Sequence, residues 1–100
     1  MKSRKILFFT GRNCQACTPH RNILKLYSER PPYSMKFDLK ICSIDNDKGV
    51  DVANAMKPPP RGLPTTCFLI DDTENVKARI TGGLYEMEYE RRVKAFINGT

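Results

Sequence analysis

Two cysteines three positions apart, Cys14 and Cys17, sit in "RNCQACTPH" between the apolar run "KILFFT" and a stretch with helical spacing. Thiols at this separation can cycle between dithiol and disulfide, supply half of a metal site, or simply fill a core. Redox work needs one good thiolate. A cysteine at the start of a helix meets unsatisfied N–H groups and the positive end of the dipole, which lower its pKa below the usual ~8.5. Cys14 has that place, and Cys17 lies one turn further on, less open to a partner. The division of labour follows: Cys14 attacks a target disulfide, and Cys17 then attacks the Cys14 sulfur and releases the product.

A structural zinc site asks for four Cys or His ligands, commonly as two close pairs, and beyond the first pair the chain has only Cys42, Cys67 and His20. No second pair exists, so neither a metal nor another cofactor is expected. His20 shares an apolar stripe with Ala16 and Ile23. It reads as a partly buried, hydrogen-bonded histidine, with tuning of the cysteines as the functional alternative.

The elements that must position these residues belong to one domain, 1–100, a normal size for a single core. Seventeen Lys and Arg against 11 Asp and Glu give a net charge of +6. These charges are scattered from Lys2 to Lys94, which describes a solvated basic surface rather than a nucleic-acid site. The apolar stretch Ile6 to Phe9 is too short for an export signal, and no run is long enough to span a membrane. A cytoplasmic, reducing setting is expected, where a Cys-x-x-Cys pair is catalytic or metal-binding more often than structural.

Lys5 to Thr10 is nearly continuously apolar, as in a central strand buried on both faces. A helix is expected to open at Cys14 and run to Arg30, with Ala16, Ile23, Leu24 and Tyr27 inward. Pro19 should either kink it or restart it with Thr18 as cap. "KFDLKICSID" alternates, placing Phe37, Leu39 and Ile41 opposite Asp38, Lys40 and Cys42 in an outer strand. Asp47 is expected to cap a short helix burying Val52, Ala55 and Met56, ended by "PPPRGLP". "TCFLI" and "VKARIT", joined by the polar turn "DDTEN", predict a hairpin with Val76, Ala78 and Ile80 on one face. The last helix buries Tyr89, Val93, Phe96 and Ile97, pairs Glu88 with Arg92 and Glu90 with Lys94, and stops at Gly99. The order is βαβαββα, a four-stranded mixed sheet with helices on both faces.

The Cys14-Gln15-Ala16-Cys17 motif at a strand-to-helix junction, "RGLPT" at Arg61 to Thr65 before a strand, and glycine after the next strand together resemble the thioredoxin and glutaredoxin superfamily. The resemblance covers nearly the whole chain. It implies a thioredoxin-like α/β fold, a thiol-disulfide oxidoreductase acting on protein disulfides, and a cis bond between Leu63 and Pro64 with the proline facing the cysteines. Around catalytic Cys14 and Cys17, it implies substrate-binding positions at Arg12, Asn13, Gln15, Ala16, Arg61, Leu63, Pro64, Thr65, Gly82 and Gly83. The backbone of Leu63 would pair with an extended substrate segment.

"RGLPT" is closer to thioredoxins, while the short start and Gly82-Gly83 are closer to glutaredoxins. The chain departs from both at Asn13, Gln15, Ala16 and Pro19. Phe8 stands where thioredoxins bury an acid, and Leu84 and Tyr85 stand where glutaredoxins carry an acidic residue for glutathione. Small proteins of this mixed kind resemble monomeric dithiol donors to ribonucleotide reductase and similar enzymes, recycled by a thioredoxin reductase-type enzyme or by glutathione. In the family's strand order Cys42 and Cys67 flank the central strand about 9.6 Å apart, beyond disulfide reach, as core cysteines. The competing class is a non-catalytic module of the same fold that docks on protein or nucleic acid.

Overall fold

The computed structural model describes residues 4–70 and 76–99. Along the chain come β1 (Arg4–Thr10), α1 (Cys17–Glu29), β2 (Phe37–Ser43), α2 (Asp47–Ala55), β3 (Thr65–Ile70), β4 (Val76–Thr81) and α3 (Glu86–Asn98). The sheet order is β2-β1-β3-β4. β1 runs parallel to β2 and antiparallel to β3, and β4 is antiparallel to β3. This is the βαβαββα arrangement expected; the "DDTEN" turn at 71–75 lies outside the described residues.

β1 is central because both of its faces are apolar. Ile6 and Phe8 enter one core with Leu24 and Tyr27 of α1 and Tyr89, Val93, Phe96 and Ile97 of α3. Leu7 and Phe9 enter the other, with Cys42, Ala53, Met56, Cys67 and Leu69, beneath α2. Helices therefore cover both faces. Phe37, Leu39 and Ile41 of β2 join the first core and Cys42 the second, the alternation its sequence displays.

Six local expectations are corrected. α1 opens at Cys17 rather than Cys14: Cys14 lies in a preceding turn, where its carbonyl accepts the Cys17 N–H at 3.2 Å. Pro19 is thus the third helical residue, in the first turn, where a missing N–H leaves no helical bond unmade and neither a kink nor a restart at Thr18 is needed. Asn46, not Asp47, caps α2, its side chain accepting the Gly49 N–H at 2.8 Å, and Ala53 rather than Ala55 is buried. In β4 a bulge opposite Phe68 and Leu69 shifts the register by one residue. Val76 therefore packs against the α2-side core while Ile80 sits in the other, so the two do not share a face. Glu90 accepts the Tyr27 hydroxyl at 2.8 Å instead of pairing with Lys94. Glu88 does bind Arg92, at 3.2 Å, and Gly99 ends α3 in the left-handed region at φ 79°.

Candidate active site

The sheet brings three loops to one end. Phe9 at the close of β1 lies opposite Thr65 at the start of β3, and Thr65 lies opposite Thr81 at the close of β4. The dithiol turn, the Leu63-Pro64 segment and the Gly82-Gly83 segment therefore emerge side by side. Their backbones are stitched together. A methyl group on Gly11 would come within 2.9 Å of Leu63 Cδ1, so the first two loops lie in close contact here. The Gly82 N–H donates to the Pro64 carbonyl at 2.7 Å, and Gly82 holds φ 82°, a left-handed conformation suited to glycine. A methyl group on Gly83 would lie 2.9 Å from the Ala16 Cβ, so this segment rests directly on the dithiol turn.

Within this frame Cys14 and Cys17 form a disulfide, with S–S 2.07 Å and Cα–Cα 5.4 Å. Cys14 is half-buried, whereas Cys17 is 3% exposed. The residue expected to attack is thus the more exposed of the two. The Cys14 sulfur is bonded to the first residue of α1, which puts it at the positive end of that helix even though it precedes the helix in sequence. Asn13 takes φ 58°, and the Arg12 N–H donates to Asp45 Oδ2 at 2.8 Å, which anchors the approach to the turn. The Arg12 side chain, Gln15 and Arg61 are exposed.

The Leu63–Pro64 bond is cis. Pro64 is fully buried, and Thr65, at 0% exposure, donates its hydroxyl to the Gly62 carbonyl at 2.6 Å. Thr65 therefore holds the loop, and its side chain does not reach the substrate face proposed for it. Leu63 is half-buried and Gly83 exposed, and they lie against Gly11 and Ala16, on either side of Cys14 in the sequence.

Sequence reasoning missed a polar stack behind this face. His20 is 1% exposed, its Nε2 accepts the Leu84 N–H at 3.0 Å, and its ring stacks on Tyr89 at 3.8 Å. Burial lowers the His20 pKa below 6.5, against a weaker upward pull from Glu86. The Tyr89 hydroxyl shares a hydrogen bond with Thr66 Oγ1 at 2.7 Å, and burial raises the Tyr89 pKa. His20 was legible as a buried, hydrogen-bonded residue, but Leu84 and Thr66 carry no local signal, because their partners lie 64 and 23 residues away. Tyr85 and Met87, 91% and 86% exposed, flank the same segment. Cys42 and Cys67 are buried free thiols, each with its pKa raised by burial. Among the described residues no three His, Cys, Asp or Glu side chains group as metal ligands, and no helix is long and apolar enough to cross a membrane.

No protein-family model matches the sequence, and no curated protein does. Solved structures do. A malarial protein is 21% identical with a TM-score of 0.72, over 98% of this chain and 97% of that one. Thioredoxin O2 from Arabidopsis thaliana, in its oxidized state, is 17% identical with a TM-score of 0.69, over 93% and 74%. A thioredoxin-fold protein from Helicobacter pylori is 15% identical with a TM-score of 0.73, over 99% and 73%.

The chain has the thioredoxin fold. At these identities the likeness is one of architecture, and it agrees with the resemblance drawn from the dithiol motif and "RGLPT". Within this thioredoxin fold the Phe8 side chain is fully buried in the core of α1 and α3 and brings no titratable group to it. The titratable side chain nearest in sequence to the dithiol on its own helix is instead His20.

Proposed function

We propose that this protein is a thiol-disulfide oxidoreductase that reduces disulfides in other proteins. The observation that carries the reading is the asymmetry of the pair, an accessible Cys14 bonded to a buried Cys17 at the start of α1. In the reduced protein the Cys14 thiolate attacks one sulfur of a target disulfide. The target S–S bond breaks, a mixed disulfide forms, and the departing target sulfur takes up a proton. Cys17, as thiolate, then attacks the Cys14 sulfur. The second target thiol leaves, the Cys14–Cys17 bond forms, and two electrons and two protons have passed to the target.

The Leu63 backbone and the Gly82-Gly83 segment lie beside Cys14, where an extended chain can lie along them with its disulfide over the sulfur. Arg12, Asn13, Gln15, Ala16 and Arg61, all exposed or partly exposed, are assigned to substrate contact. Enzymes that must have a disulfide reduced in every cycle, ribonucleotide reductase among them, fit as substrates. The working state we assign is a monomer in the reducing cytoplasm, regenerated by a thioredoxin reductase-type enzyme or by glutathione.

Insulin reduction, coupled in parallel to thioredoxin reductase and to glutathione with its reductase, tests the assignment and separates the two recycling routes. Turnover is expected with at least one. In Cys17→Ser, a mixed disulfide with substrate should accumulate on Cys14. Full activity in Cys14→Ser would refute the mechanism.

A further inference from the structure

The residue the exchange chemistry leaves unused is His20. Because Nε2 accepts the Leu84 N–H, the ring of the neutral side chain carries its proton on Nδ1. That nitrogen is buried and has no hydrogen-bond partner among the described residues. A buried unmatched donor is unfavourable, and a leucine of similar bulk would fill the same space without it. The imidazole is nevertheless held closely, its plane within 9° of the Tyr89 ring, which is itself fixed through Thr66. What the histidine supplies that an apolar residue would not is an acceptor for one backbone N–H. That N–H belongs to Leu84, next to Gly83, whose missing Cβ would sit 2.9 Å from Ala16 Cβ and 3.9 Å from His20 Nε2.

We propose that His20 is a positioning residue which, through Nε2, fastens the Gly82–Leu84 segment to the dithiol helix and so fixes the surface on which a protein substrate is laid. The proposal rests on the oxidoreductase reading above. It assigns the site a component placed behind the substrate face, one that acts on docking and leaves sulfur exchange to the cysteines. It also makes docking sensitive to acid. An imidazolium has two donors and no acceptor, so protonation removes the partner of the Leu84 N–H. The titratable neighbours are Glu86 and Tyr89 on α3 and Cys17 one turn back on α1. Of these Glu86 favours the charged ring, while burial opposes it more strongly. The clamp therefore holds at neutral pH and opens on acidification.

The test compares His20→Leu, which keeps bulk but no acceptor, with His20→Gln, whose side-chain oxygen can accept. Both are assayed on insulin and on hydroxyethyl disulfide, a substrate too small to need a docking face. For His20→Leu we expect KM for insulin to rise about fivefold, as for one lost hydrogen bond, with kcat and the small-disulfide rate unchanged. His20→Gln should recover most of the loss. An unchanged KM in a folded His20→Leu variant overturns the proposal, as does an equal loss on both substrates, which would place His20 in the exchange chemistry itself. Should His20→Leu not fold, the wild-type protein decides. The Leu84 amide resonance should follow the His20 titration with a midpoint below 6.5, and an amide indifferent to that titration overturns the clamp. If the wild-type protein reduces no disulfide, the oxidoreductase reading fails, while the Leu84 resonance still decides whether His20 holds the segment.

Discussion

The protein carries two pairs of cysteines, and the fold treats them in opposite ways. Cys14 and Cys17 stand where β1 hands over to α1, bonded to each other, with Cys14 partly exposed and Cys17 buried. Cys42 and Cys67 lie on the strands either side of β1, opposite Phe9 and Leu7, sealed beneath α2 with their thiol pKa values raised. Under the proposed function, reactivity is a property of place. A helix start and an open face favour the thiolate, whereas an apolar layer disfavours charge on the same atom.

The largest expected effect breaks the comparison if it fails. Cys14→Ser should lower insulin reduction by on the order of 10³-fold or more, as expected when a covalent nucleophile is lost. The double variant Cys42→Ala/Cys67→Ala should retain wild-type turnover. Iodoacetamide added to the reduced protein should label Cys14 first, leaving Cys42 and Cys67 unmodified until denaturant is present; mass spectrometry of timed samples reads the order.

Smaller effects sharpen the contrast. Asn46→Ala removes the cap of the helix that seals the buried pair and should cost about 1 kcal/mol in urea unfolding. It should also speed labelling of Cys42 while leaving that of Cys14 unchanged. Cys67→Ala empties space in the same layer and should cost about 1 kcal/mol, with no change in turnover.

The smallest effect lies on the opposite layer. Glu88 accepts hydrogen bonds from Arg91 and Arg92, which hold its carboxyl down to about 2. The folded value lies below the unfolded 4.5, so this contribution is complete above 4.5 and disappears as pH falls toward 2. The unfolding midpoints of wild type and Glu88→Gln should therefore converge between those values, the difference at neutral pH being slight for so exposed a site. Labelling of Cys42 should be indifferent to the change.

Much of this arrangement was legible because it repeats along the chain. The inward stripe of α3, the continuous apolar run of β1 and the alternation in β2 each follow a fixed period, and each packs as that period requires. The errors fall where a period is interrupted or where no local rule applies. The start of α1 was misplaced because Ala16 occupies the cap position without a capping side chain. The bulge in β4 turns Val76 to the other face while its sequence still alternates. The 3-10 turn at Tyr33–Met35 is too short to show a period. At the candidate site the dithiol and the cis proline were readable from motif and resemblance. The inward-turned Thr65 and the bond from Leu84 to His20 arise only when distant segments meet.

The central place of β1 sets an order on assembly during synthesis. This strand and the dithiol that follows it leave the ribosome before β2 and β3, yet one edge of β1 waits for β2 and the other for β3. The wall formed by Leu63, Pro64, Gly82 and Gly83 comes from the later part of the chain, and α3 closes that side last. A nascent chain stopped before β3 would thus expose both sulfurs with no face against which to work. Reactivity toward a chosen partner is acquired only as the fold completes.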